Sequence, residues 1–139
     1  MFYSTAKVLK FNFGDYILKQ GETAEGLYVI RSGRVEILKN SGTGPLLLGV
    51  ATPGQFLGEM SILLGIDSTA SARAASEVEV LMFEKSACEE IFTKTPPVVL
   101  ALAKGLAHRL DLTSRKLEMN NDTKQPEVAT RAIDLDWEG

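Results

Sequence analysis

The stretch Pro53-Gly54-Gln55-Phe56-Leu57-Gly58-Glu59-Met60-Ser61, followed after a short turn by Ser68-Thr69-Ala70, closes an apolar strand with a Gly-Glu pair and opens a short helix. Gly58 lets the backbone approach a ligand with no Cβ in the way. The helix-opening amides from Met60 and Ser61 onward are donors without an intrahelical partner, and such donors favour an anion. Glu59 adds a carboxylate able to accept hydrogen bonds from a ribose hydroxyl. The combination suits capture of a sugar phosphate and contains no catalytic machinery.

Around this stretch the chain is ordinary in composition. It has 139 residues, enough for one domain with a buried core. Hydrophobic residues make up 45% and charged residues 24%, as in a soluble globular protein. A net charge of −3 gives no general electrostatic reason to bind nucleic acid or a membrane surface. The single cysteine, Cys88, excludes an intrachain disulfide and suits a reducing compartment. No apolar run approaches the ~20 residues of a membrane span, and the start Met1-Phe2-Tyr3-Ser4-Thr5 lacks the features of a signal peptide. A cytoplasmic protein with no membrane contact is the expectation.

Periodicity divides the chain into three zones. From Ala6 to Glu84 short apolar runs alternate with glycine: Ala6–Phe11, Asp15–Leu18, Leu27–Arg31, Arg34–Lys39, Leu46–Val50, Ala70–Ala74 and Val78–Phe83. Val35 and Ile37, and Val78, Val80 and Met82, keep the two-residue alternation of half-buried strands. Regular glycine breaks between short strands argue for an antiparallel barrel or sandwich. The second zone is helical. Ser86 to Thr93 forms a modest helix; Thr95 then reads as an N-cap with Pro96 at the first helical position. In the long helix beyond it, Val99, Leu102, Leu106, Leu110, Thr113 and Leu117 recur at three- and four-residue steps and form a seam. The third zone, residues 120–139, reads as a polar, acidic tail in which Ile133 and Trp137 are candidates to dock back on the body.

Taken in order and in register, these fragments resemble the cyclic nucleotide-binding domain of catabolite activator proteins, kinase regulatory subunits and gated channels. Gly14-Asp15-Tyr16-Ile17, Gly21-Glu22, Leu27-Tyr28-Val29-Ile30, Ser32-Gly33 and Val35 carry the spacing of turns and core residues, and Pro53 to Ser61 carries the phosphate-binding cassette. The resemblance spans roughly Phe11 to Lys116. It implies a mainly β fold: an eight-stranded antiparallel jelly-roll barrel (a double-stranded β-helix) with terminal helices, the domain filling residues 1–119. The ligand, cAMP or cGMP, would sit in the barrel under the long C-terminal helix, with no further cofactor and no metal. Its binding residues would be Leu57, Gly58, Glu59, Met60, Ser61, Ser68, Thr69 and Ala70. Arg109 to Lys116 resembles the activators' long helix, and places Thr113 and Ser114 as candidates for contact with an adenine or a guanine.

One departure stands out. The family's cassette carries an arginine nine or ten residues after the glutamate, against the phosphate; here that position is Ser68, within Asp67-Ser68-Thr69-Ala70. A charge-assisted Arg–phosphate contact is worth ~1.5–3 kcal/mol. Arg73 lies an odd number of residues from Ser68, so on a regular strand it points to the opposite face. Asp67 would add an unfavourable charge if it faced the pocket.

Two functions are consistent with this pattern. One is a stand-alone cyclic nucleotide sensor that signals by reorienting its C-terminal helix, to itself or to a separate downstream protein. The alternative is a degenerate module that has lost nucleotide binding with the arginine and serves as a dimerisation or protein-docking domain. In either case the seam of the 97–119 helix suits a two-fold homodimer. An enzyme is not expected. His108 is the only histidine and reads as a surface or interface residue, Cys88 as buried packing, and Glu89-Glu90 as a solvated helix face. One histidine and one cysteine cannot build the usual zinc site. The twenty residues after the long helix are too few and too acidic for a DNA-reading module, so DNA binding is not expected.

Overall fold

The computed structural model describes residues 6–119. The elements run β1 (Ala6–Phe11), β2 (Tyr16–Leu18), β3 (Gly26–Ser32), β4 (Val35–Asn40), β5 (Pro45–Ala51), β6 (Phe56–Leu57), α1 (Glu59–Leu64), β7 (Ser71–Ala74), β8 (Val78–Glu84), α2 (Lys85–Lys94) and α3 (Pro97–Met119). In the last part of α3, side chains are described as far as Leu110 and at Leu112. The eight strands form two antiparallel four-stranded sheets, ordered β1-β8-β3-β6 and β2-β7-β4-β5. This is the jelly-roll arrangement that the resemblance implies, and it is antiparallel throughout as the strand pattern predicts. The postulated docking of Ile133 and Trp137 lies outside the described residues.

The core sits between the sheets. Tyr28, Ile30, Val78, Val80 and Met82 come from the first sheet, and Ile17, Val35, Ala51, Ala72 and Ala74 from the second. Each set follows the strand period of two, which sends alternate side chains to one face. The sheets differ on their outer faces. Leu27, Val29, Leu81 and Phe83 give the first sheet a second apolar face, covered by Ile62 of α1 and Cys88 and Phe92 of α2. On the second sheet Tyr16, Arg73 and Glu36 stand in register across β2, β7 and β4, and Arg73 donates to Glu36 Oε1 at 2.8 Å. These three side chains are partly exposed.

Two local features shape the open end of the space between the sheets. The turn before β6 is clamped to β3: Gly54 N–H donates to the Ile30 carbonyl at 2.8 Å, and Ile30 N–H to the Gln55 carbonyl at 3.0 Å. The buried Gln55 side chain locks the turn by accepting from Thr52 N–H at 2.8 Å. On β5 the register passes from Ile37↔Gly49 to Leu38↔Leu47, so Leu48 is the extra residue of a β-bulge.

The start of α3 differs from its sequence-based expectation. Thr95 is the C-cap of α2, and its hydroxyl donates backwards to the Ile91 carbonyl at 2.8 Å. The first helical residue is Pro97, and the Pro96 carbonyl accepts from Val99 and Leu100 N–H. A proline at the first position remains correct in kind, one residue later than expected.

Candidate ligand-binding site

The clamped turn delivers β6 to the edge of the first sheet, paired Tyr28↔Leu57 and Val29↔Phe56. Gly58 then turns the chain into α1 at φ 85°, in the left-handed region that favours glycine. A Cβ there would also stand 2.9 Å from the Gly26 carbonyl. The close neighbour that excludes a side chain at Gly58 is therefore the adjoining strand. In α1 the Ile62 amide is the first to close a turn, onto the Gly58 carbonyl at 3.0 Å. The amides of Glu59, Met60 and Ser61 belong to the open first turn.

These residues wall an open-mouthed cleft. Leu57, Gly58, Glu59, Met60 and Ser61 form one side, and Ser68, Thr69 and Ala70 another. All eight candidates outside α3 thus meet at one cavity. Thr113 and Ser114 lie on the α3 backbone, but their side chains fall outside those described. The helix reaches the site through Leu110, in the cavity wall, and α3 packs on α1.

Ser61 and Ser68 differ in what their hydroxyls do. Ser61 is buried and its Oγ accepts from Ala24 N–H at 3.4 Å, tying α1 to the segment before β3. Ser68 is also buried, and its backbone is fully engaged: its N–H donates to the Glu22 carbonyl and its carbonyl accepts from Gly21 N–H. Its Oγ has no hydrogen-bond partner among the described residues. Asp67 faces away, and its Oδ1 accepts from Thr23 Oγ1 at 3.0 Å on the surface. Arg73 also stays outside the cavity, as strand parity implies; its hydrogen bond to Glu36 pushes its pKa up.

Sequence reasoning passes over Lys39, Leu48 and Leu110, all cavity residues. Lys39 is only 7% exposed. Its signal is present in the alternation that turns Val35 and Ile37 inward and continues to Lys39. Leu48 owes its place to the bulge. Elsewhere, His108 is exposed on α3, and Cys88 is buried on the inner face of α2, where desolvation pushes its thiol pKa up. Glu89 and Glu90 are exposed, with Glu90 3.5 Å from Lys94.

A family model for the cyclic nucleotide-binding domain matches residues 8–95, and the chain belongs to that family. Over 118 residues it is 29% identical to the cAMP-activated global transcriptional regulator CRP of Salmonella typhimurium, covering 84% of this chain and 56% of that one. The Thermus thermophilus catabolite activator protein is similar in structure, with a TM-score of 0.69 and 28% identity over 86% of this chain and 57% of that one. The cAMP-bound EAL enzyme Bd1971 shares the fold at a TM-score of 0.73, with 23% identity over 82% of this chain and 30% of that one. The chain spans little more than half the length of the curated regulators it matches. No helix among the described residues is long and apolar enough to cross a membrane.

Proposed function

We propose that the chain is a regulatory sensor that binds cAMP or cGMP in this cavity and transmits occupancy through α3. In this reading Glu59 accepts from the ribose hydroxyl, and Met60, Ser61, Ser68 and Thr69 surround the phosphate. Thr113 and Ser114 meet the base. The observation that carries the reading is the convergence of the cassette residues on one cavity whose wall also includes Leu110 of α3. Any ligand that touches both α1 and α3 distinguishes between arrangements of the helix, the condition for a signal. The role is regulatory rather than catalytic, in a reducing cytoplasm that suits the lone buried thiol of Cys88.

Calorimetric titration with cAMP, cGMP and 5′-AMP tests the reading. Binding of a cyclic nucleotide but not of 5′-AMP is the expected result. Glu59→Ala is expected to lower that affinity by about tenfold or more, the equivalent of roughly 1.5–3 kcal/mol for a hydrogen bond to a charged group. Silence of the folded wild-type protein would favour the docking module instead.

Self-association through α3 has its own support. Val99, Leu102 and Leu106 are 52%, 64% and 55% exposed at helical spacing, an apolar stripe that a second copy would cover. Leu106→Asp is expected to shift sedimentation from dimer to monomer while leaving the β-sheet spectrum intact; an unchanged dimer mass would place the interface elsewhere.

A further inference from the structure

We propose that Lys39 supplies the positive charge that the cassette lacks at Ser68, and that the Ser68 hydroxyl completes the contact with the ligand's phosphate. The inference rests on the nucleotide reading of the cavity and assigns the phosphate to two residues on different walls. Lysine is seldom this buried, and Lys39 sits on the inward face of β4 with Ile37. Among the described residues it is the only lysine or arginine lining the cavity, and Glu59 is the only acid. Without Lys39 the one formal charge among the described lining residues would be Glu59's, which would repel a phosphodiester monoanion. Arg73 cannot take the role, because it is turned to the outer face and bonded to Glu36.

Ser68 is the second, independent observation. A buried hydroxyl is normally hydrogen-bonded, yet Ser68 Oγ finds no partner among the described residues while its backbone N–H and carbonyl are both engaged. A phosphate oxygen would accept from it. An ammonium on a four-carbon stem acts as a mobile point charge, where a guanidinium would fix two oxygens at once. The site should therefore grip the charge of the phosphate more than its geometry.

The test titrates the full chain with cAMP and cGMP, and with adenosine and guanosine as phosphate-free probes. Lys39→Met keeps much of the stem and its apolar packing, and thermal unfolding checks that it folds. Lys39→Met is expected to lower cyclic nucleotide affinity by about tenfold or more and to leave nucleoside affinity within about twofold. Ser68→Ala is expected to cost several-fold on the cyclic nucleotide alone, and it tests the proposal if the lysine variant does not fold. Arg73→Ala, which removes a charge from the outer face, should change neither affinity. Unchanged cyclic nucleotide affinity in a folded Lys39→Met variant would overturn the role of Lys39 and leave the nucleotide reading standing. An equal fall for nucleoside and nucleotide would make Lys39 a wall residue and overturn it too. Absence of cyclic nucleotide binding in the wild-type protein, with Glu59 intact, would overturn both.

Discussion

The space between the two sheets is filled at one end and open at the other, although β2, β4, β5 and β7 contribute to both. At the filled end Ile30, Val35 and Val80 are at most 1% exposed and pack in one cluster across the gap. At the open end β7 offers Ser71 and Ala72, the segment before it Ala70, and β4 presents Ile37 and Lys39, with Leu48 entering from the bulge. The difference lies in side-chain volume and in one charge, so stability and binding are carried by separate residues of the same elements.

The sharpest test of that separation is a pair of identical truncations. Ile30→Ala removes a fully enclosed side chain and is expected to lower unfolding free energy by about 2–5 kcal/mol in urea titration. Ile37→Ala, at the open end, trims the wall of an existing cavity, so its expected loss is below about 2 kcal/mol. Its main effect should fall on ligand affinity. Equal losses of stability would mean that the two ends are not distinct. The smallest effect concerns the outer layer under α2. Burial raises the Cys88 pKa, so the folded protein keeps a proton over a range in which the unfolded chain has lost it. Stability is whole below the ordinary thiol value and falls as pH rises through the folded one. Unfolding free energies measured from about pH 7 to pH 10 should therefore decline, and Cys88→Ala should flatten the slope. Tyr28, also raised by burial, is expected to leave a residual decline toward the alkaline end.

Most of the fold was legible because each long strand carries its own period. Val78, Val80 and Met82 alternate, and Leu81 and Phe83 show by their positions that a second face is covered. β6 was visible only as the apolar pair before Gly58, since two residues have no period. Thr95 was misread for a physical reason: a threonine before two prolines looks the same whether its hydroxyl caps the helix ahead or closes the one behind. The cassette side of the cavity was legible from residue type and order. The opposite side was not, because Lys39 set two rules against each other. Parity with Val35 and Ile37 turns it inward, whereas its charge argues for solvent. Leu110 stayed hidden because a seam shows which face of a helix is apolar and not what that face meets. Leu48 required the bulge, which no local pattern of leucines announces.

The join between the last two helices has a mechanical consequence. Pro96 and Pro97 bring no amide hydrogens, and Thr95 spends its hydroxyl on the helix behind it. The two prolines at the join are thus bare of backbone donors, their rings hold φ fixed, and the Pro96 carbonyl is tied into the first turn of α3. Beyond them runs a rod of 23 residues, about 35 Å long at roughly 1.5 Å per residue. A turn of about 10° at the prolines would carry the far end of such a rod through about 6 Å. In the language of levers, if α3 reorients as proposed, with its fulcrum at the join and its cavity contact at Leu110 partway along, displacements at the cavity would arrive enlarged at the tip.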